Sequence, residues 1–295
     1  AKHCAGYGMA EAGRDYNTVN IGEYELHNTV LPPFKAAAAA GVATFMNSFN
    51  EIDGIPSTAN KMLQRDMLKG EWGWDGFMVS DWGSIGEMMA HGYAKNKKHA
   101  AEIALNAGSD MDMESYAYEE HLENLLKENK ISIAQIDDAV KRGLRVKFRL
   151  GLFDDPYKYC DEDREKNDVY TKEHLALARD VAKKSIVLLK NQNKLLPLSK
   201  TIKSIAVIGP LADDKDSPLG NWRGMGEYNS AVSLLEGVKN AVGKNTKIYY
   251  EEGGAITIPT IKPGDNQFLF PLKFNDTDVS GIPAAVEAAK KAEVV

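Results

Sequence analysis

The sequence predicts an α/β protein with parallel sheet, and three observations carry that prediction. Short apolar runs bounded by glycine, of which Gly76–Gly83 (GFMVSDWG) is the clearest, suit strands buried on both faces. Between residues 26 and 112 such runs alternate with helical segments, the pattern of βα units joined by crossover helices. A stretch mixing glycine, proline, aromatics and charge, Gly151–Tyr170, then separates this region from a second one with the same alternation.

Each element has its own signals. Residues 28–40 read as a helix with Pro32 and Pro33 near its start, where a missing N–H costs nothing, and Gly41 ends it. Val42–Met46 is a short strand and Asn47–Ser57 a polar loop. Ser57 or Thr58 is placed to cap a helix running to about Trp72. Gly76–Ser80 is the next strand, Lys97–Asn106 a helix, and Gly108–Met113 (GSDMDM) a strand. Helices at 115–129 and 132–149 follow, the second with Ile133, Ile136, Val140, Leu144 and Phe148 on one stripe. Beyond the linker the pattern predicts a helix at 172–185, strands at Ile186–Leu189, Ser204–Gly209 and Lys247–Tyr250, and a helix at Ile282–Ala292. The chain opens on Ala1 as though a strand had just finished and stops where a helical pattern turns β-branched, which predicts an internal piece of a longer polypeptide.

Composition excludes several function classes. A net charge of −6 and a pI near 5.6, with Lys and Arg scattered and only Lys95–Lys98 approaching a cluster, argue against nucleic acid as a partner. No stretch reaches the roughly 18 apolar residues of a membrane span; Ala36–Met46 is interrupted by Gly41. Cys4 and Cys160 are too few for a disulfide framework. No cofactor is expected: Ser204–Asp213 (SIAVIGPLAD) has a strand and turn but not the G-x-G-x-x-G spacing that lets backbone approach a pyrophosphate. No metal is expected either, since the six histidines lack ligand spacing; Asp110 and Asp112 alternate on a strand, where they face one side and either bind a hard cation or cap the sheet. No G-x-S-x-G elbow marks a serine hydrolase.

Asp81 is the leading catalytic candidate. The apolar run Phe77-Met78-Val79-Ser80 ends in its carboxylate, followed by Trp82 and Gly83, and an acid at the C-terminal end of a barrel strand points into the active-site mouth. Taken alone, the same pattern also describes a helix-capping Asp beside a packing Trp. Lys2-His3, before a loop bearing Gly6 and Gly8, offers donors suited to the vicinal hydroxyls of a sugar, although a Lys-His pair by itself is commonly a surface feature.

Eight motifs in order resolve these alternatives. They are Lys2-His3 with its glycine-bearing loop, Leu31-Pro32-Pro33-Phe34-Lys35-Ala36, Met46-Asn47-Ser48-Phe49-Asn50, Gly76 through Trp82, Gly108-Ser109-Asp110-Met111-Asp112-Met113, Gly151-Leu152-Phe153, Ser185 through Asn191, and Ala206 through Asp213. Together they resemble glycoside hydrolase family 3, in particular its periplasmic or secreted bacterial β-glucosidases. The resemblance implies that residues 1–150 are the C-terminal part of a (β/α)₈ TIM barrel, 151–180 a linker, and 181–295 the start of an α/β sandwich domain. It implies a retaining exo-β-glycosidase acting on a β-linked oligosaccharide or aryl glucoside, with Asp81 as nucleophile. By the same resemblance Lys2 and His3 hold hydroxyls of the terminal sugar, Trp82 is a stacking wall and Met46 borders the same sugar. β-Xylosidase and a non-catalytic carbohydrate-binding relative are the alternatives.

The chemistry fits that assignment. A retaining glycosidase needs an ionised carboxylate below the anomeric carbon and a protonated acid above the leaving oxygen, about 5–5.5 Å apart. A short, stiff Asp at a strand end is easily aimed, and Lys2 nearby would favour its ionised form. Two departures stand out: Cys4 replaces the family's usual aromatic, and the loop Ala5-Gly6-Tyr7-Gly8-Met9 has no histidine, which argues against the N-acetylhexosaminidase branch. The resemblance places the general-acid Glu on a later loop of the second domain, with Glu51 and Glu114 as the substitutes to examine within this chain.

Overall fold

A computed structural model describes residues 1–220, 223–258 and 273–295. The chain divides into two units, Ala1–Thr171 and Lys172–Val295, each mixing helices with parallel strands.

In the first unit, helix α1 (Pro32–Ala39) starts on its two prolines, and the chain turns at Gly41 into β1 (Thr44–Met46). β1 pairs in parallel with β4 (Phe77–Val79), Thr44 opposite Phe77 and Met46 opposite Val79. The central residues of both strands, Phe45 and Met78, are fully buried, as strands covered on both faces require. Trp74 packs edge-on against Phe45, with ring centroids 4.8 Å apart, and its indole N–H donates to Val42 O. Gly76 is obligatory between them: a Cβ there would lie 2.2 Å from the Ala43 carbonyl oxygen.

The Gly108–Met113 strand shrinks to one bridge, Val79 to Met111, flanked by Ser80 N donating to Met111 O and Met111 N to Met78 O. Its side chains are drawn elsewhere: Ser109 into a buried polar cluster, Asp110 to a lysine, Asp112 to the N-terminus of α5 (Ala117–Lys127). The loop Asn47–Ser57 contains a small antiparallel hairpin, β2 (Glu51–Ile52) with β3 (Ile55–Pro56). Ser57 and Thr58 do not cap the helix that follows; they are buried in a separate turn, and Asn60 Oδ1 accepts Leu63 N at the start of α2 (Met62–Glu71), a wide π-type helix. The one-turn helix α3 (Ser84–Glu87) follows Gly83, and α4 (Lys97–Ala107) is capped by Asn96 and ended by Gly108 in the left-handed region.

Helix α6 (Ile133–Arg149) opens on a capping box of Ser132 and Gln135, yet most of its apolar stripe faces outward. Ile133, Val140, Leu144 and Phe148 are exposed, while Ala139 and Val146 are buried. Three arginines set the helix rotation: Arg142 donates to Trp74 O and Gly76 O, Arg145 to Asp75 O, and Arg149 pairs with the Asp75 carboxylate. They fasten α6 to the turn that feeds β4. Within Gly151–Tyr170 a short helix, α7 (Glu162–Asp168), is capped by Asp161.

In the second unit, β5 (Ser204–Ile208) pairs in parallel with β6 (Lys247–Glu251), and Val294 bridges to Ile205 on the other side of β5. Leu235 of α9 (Leu234–Ala241) packs with Val207 and Ala212. Helices α8 (Lys172–Ser185) and α10 (Ile282–Lys290) match their sequence signals. Ile186–Leu189 forms no strand: no described strand pairs with it, and Leu189 is 92% exposed. No helix among the described residues is long and apolar enough to cross a membrane.

One buried ion pair ties these elements together. Lys69 Nζ on α2 lies 2.6 and 2.7 Å from the two Asp110 carboxylate oxygens and donates to Gly108 O, while Asp110 Oδ2 accepts Met78 N from β4. Burial lowers the Lys69 amine to about 8, against the opposing pull of Asp110. Removing one partner of such a pair leaves an uncompensated charge, so Lys69→Met in the intact polypeptide should lose about 3–5 kcal/mol of stability. Lys69→Met/Asp110→Asn should recover part of that loss. Denaturant titration of parent and variants reads both, and a loss below about 1 kcal/mol for Lys69→Met would show that the pair is dispensable.

Candidate active site

Asp81 stands one residue beyond β4, after Ser80, and is 7% exposed. Ser80 holds the strand end in place, its N–H donating to Met111 O and its Oγ accepting Met113 N. Gly83 adopts φ +70°, which lets the chain turn at once into α3, and Ser84 N closes that turn on Asp81 O. The carboxylate is gripped at both oxygens: Trp82 N donates to Oδ1 at 2.7 Å, and His3 Nε2 stands 3.2 Å from Oδ2.

His3 reaches this position because residues 1–4 run beside β1. Met46 N donates to Ala1 O, Cys4 N to Met46 O and Ser48 N to Cys4 O, with one parallel bridge from Cys4 to Asn47. Parallel neighbours β1 and β4 therefore deliver the Lys2-His3 segment, Met46 and Asp81 to one end of the sheet. Burial pushes the His3 imidazole below its ordinary range; Asp81 opposes this shift and Lys2 adds to it. At neutral pH His3 therefore faces Asp81 as a neutral ring, with Nε2 the nitrogen nearer the carboxylate.

The structure brings His3 and Asp81 into contact, with Trp82 beside them and Met46 one strand away. Trp82 is 60% exposed, so its indole is open to a ligand while its backbone serves the carboxylate. Met46 is partly buried at the end of β1. Lys2 is exposed and acts on His3 through its charge; among the described residues no hydrogen bond or ion pair joins it to Asp81. Cys4 is a core residue whose thiol burial pushes up to about 12, and Cys160 is exposed; both are free.

The other acids divide sharply. Glu51 accepts Thr18 Oγ1, Glu114 accepts Tyr116 OH, and Asp112 accepts Ala117 N and Tyr118 N, which makes it a helix cap. Glu87, at the end of α3, is the carboxyl that sequence reasoning missed. Burial first, then the charges of Asp15 and Asp81, raise it to about 7. Burial first, and with it the charges of Asp15 and Asp81, raise Tyr7 and Tyr16 as well. Only adjacency hinted at these groups: Glu87 closes the turn that Asp81 opens, and Tyr7, Asp15 and Tyr16 lie on the loop after His3. Among the described residues no group of three or more His, Cys, Asp or Glu is placed to hold a metal ion.

The two halves of the chain match two domain models, the Glycosyl hydrolase family 3 N terminal domain over residues 1–146 and its C-terminal domain over residues 186–295. A periplasmic β-glucosidase from Salmonella typhimurium is 40% identical over 299 residues, covering 100% of this chain and 39% of its own length. A β-xylosidase from Formosa agariphila is 35% identical, covering 100% of the chain and 40% of its own length. The chain thus spans about two fifths of these relatives. Among solved structures, a Listeria innocua β-glucosidase in complex with glucose superposes with a TM-score of 0.77 at 37% identity, over 100% of this chain and 37% of that one. A β-glucosidase involved in saponin metabolism from intestinal bacteria gives 0.82 at 32% identity, over 100% and 41%.

Glu87 yields a test of the site's electrostatics. Its folded pKa, about 7, lies above the ordinary 4.5 of a glutamate, so its contribution to stability is fully present below pH 4.5 and lost as pH rises through about 7. Glu87→Gln cannot ionise. It should melt with the parent at pH 4 and above the parent at pH 8, and equal melting at both would place Glu87 outside the field of Asp81 and Asp15.

Proposed function

The chain belongs to glycoside hydrolase family 3, and on that premise we propose that it is part of a retaining exo-β-glycosidase that releases terminal β-D-glucosyl residues. The observation that carries this reading is the Asp81 carboxylate at the end of β4, gripped by Trp82 N and His3 Nε2. Residues 1–150 are the C-terminal part of a (β/α)₈ barrel and residues 181–295 begin an α/β sandwich, with 151–180 between them. The parallel pairing of β1 with β4 and of β5 with β6 supports both assignments.

In this reading Asp81 attacks the anomeric carbon as the glycosidic bond breaks, and a carboxylic acid protonates the departing oxygen. A glycosyl-Asp81 ester forms; water, deprotonated by the same acid's conjugate base, then cleaves it with retention. His3 Nε2–H steadies Oδ2 and, with Lys2, donates to sugar hydroxyls, while the open indole of Trp82 stacks on the apolar face of the ring and Met46 borders it. The general acid is placed on a loop of the second domain by the family resemblance; Glu51 and Glu114 are engaged elsewhere. The substrate is a β-linked oligosaccharide or aryl glucoside, and the location is periplasmic or secreted, as in the Salmonella typhimurium relative. β-Xylosidase is the second reading, favoured by the Formosa agariphila relative.

The intact protein treated with a 2-deoxy-2-fluoro-glucoside should carry the label on Asp81, read by peptide mass spectrometry. Asp81→Ala should lose about three or more orders of magnitude in kcat while remaining folded. Labelling of another carboxylate would overturn the assignment. A kcat/KM higher for an aryl β-xyloside than for the β-glucoside would select the second reading.

A further inference from the structure

The loop after His3 is built around one side chain that the reading above does not use. Ala5 O is held by Ser48 Oγ and Asn50 Nδ2, and Gly6 (φ +78°) turns the chain into a helical turn at Tyr7–Met9. Tyr7 presents its ring to the His3 imidazole in a T-shaped contact, with centroids 5.0 Å apart and planes at 72°. On its other side the ring meets Phe49, with centroids 6.1 Å apart. Phe49 also carries Tyr16 edge-on at 4.6 Å, so the far end of the loop rests on the same buried ring as the near end.

This arrangement answers a need that the His3–Asp81 contact leaves open. The outer torsion of a histidine is soft and broadly populated, and a flipped ring presents a different edge to its neighbour. One contact at 3.2 Å does not select the orientation by itself. We propose that Tyr7 is a positioning residue for the site: its ring, seated on Phe49, backs His3 so that Nε2 stays beside the Asp81 carboxylate. Burial first, then Asp15, hold the phenol well above its ordinary pKa, so the ring stays neutral throughout the range in which such an enzyme works. The assignment rests on Asp81 and His3 acting as described above.

The test is a double-mutant cycle in the intact enzyme, with kcat and KM measured on an aryl β-glucoside. Tyr7→Leu should lower kcat/KM about tenfold or more, Tyr7→Phe should retain most of it, and Tyr7→Leu in a His3→Ala background should cost less than about twofold. Full additivity of the Tyr7 and His3 losses overturns the proposal, as does an unaltered Tyr7→Leu. Should Tyr7→Leu fail to fold, Tyr7→Met, which fills the space without a ring, takes its place. It should cost about tenfold or more in kcat/KM alone and less than about twofold in the His3→Ala background; additive losses overturn the proposal. Asp81→Asn measured alongside separates the two levels. If it is inactive while Tyr7 and His3 are additive, only the Tyr7 assignment falls; if it is active, the nucleophile falls and the positioning role with it.

Discussion

The site depends on a web of buried polar side chains beneath it. Asn47, Ser48, Ser57, Thr58, Gln64, Ser84 and Ser109 are all 4% exposed or less. Ser109 Oγ reaches Asn47 Oδ1, Gln64 Oε1 and Thr58 O; Gln64 Nε2 donates to Ser57 O and Thr58 O; Ser48 Oγ meets Ser57 Oγ, and Thr58 meets Ser84. Each such group left unpaired would cost roughly 1–3 kcal/mol, so the web tolerates few alternative arrangements. Its members follow β1, follow Asp81 and precede Asp110, and Ser48 extends it to Ala5 O, two residues from His3. A one-residue slip of any of these segments would break several bonds at once. The web therefore relates the His3 loop to the Asp81 turn.

Charge is arranged to match. On α2, Lys69 answers Asp110 in the interior. At the mouth, burial disfavours charge on His3 and on Glu87 alike, in opposite directions of titration. Near neutral pH a neutral imidazole and a Glu87 that is about half protonated thus reduce the competing negative charge on the turn of Asp81. In the proposed reaction that concentrates negative charge where an oxocarbenium-like transition state develops positive charge.

Much of this was legible in the sequence, for reasons that also mark where reading stopped. Glycine-bounded apolar runs located β1, β4, β5 and β6, and strand-end placement singled out Asp81, because burial on two faces leaves a compositional trace. The face presented by α6 left none: periodicity identifies an apolar stripe, but three arginines bonding to the Trp74–Gly76 turn set the rotation. Ile186–Leu189 has strand composition and no described pairing partner, and a strand is defined by its partner. Gln64 and Ser109 look like ordinary helix and loop residues until their partners, more than forty positions apart, are brought together. Tyr7 and Glu87 lie close in sequence to His3 and Asp81, but the ring contact of the one and the burial of the other are set by the fold and leave no pattern in the sequence.

The division of labour at Trp82 connects these points to specificity. Its amide fixes Asp81 Oδ1, a bond that any residue but proline could make, while its indole stands open to solvent. The carboxylate is thereby aimed by backbone and by the residues behind it, independently of the side chain that would meet a sugar face. An aromatic wall can then change in size or polarity without moving the attacking oxygen. A scaffold of this kind separates the chemistry, held by the buried web and the two grips on Asp81, from ring recognition, held at the exposed edge. In the proposed reading, such separation offers a physical basis for one architecture accommodating both glucosyl and xylosyl substrates: a change at the exposed edge need not shift the bond-breaking geometry beneath it.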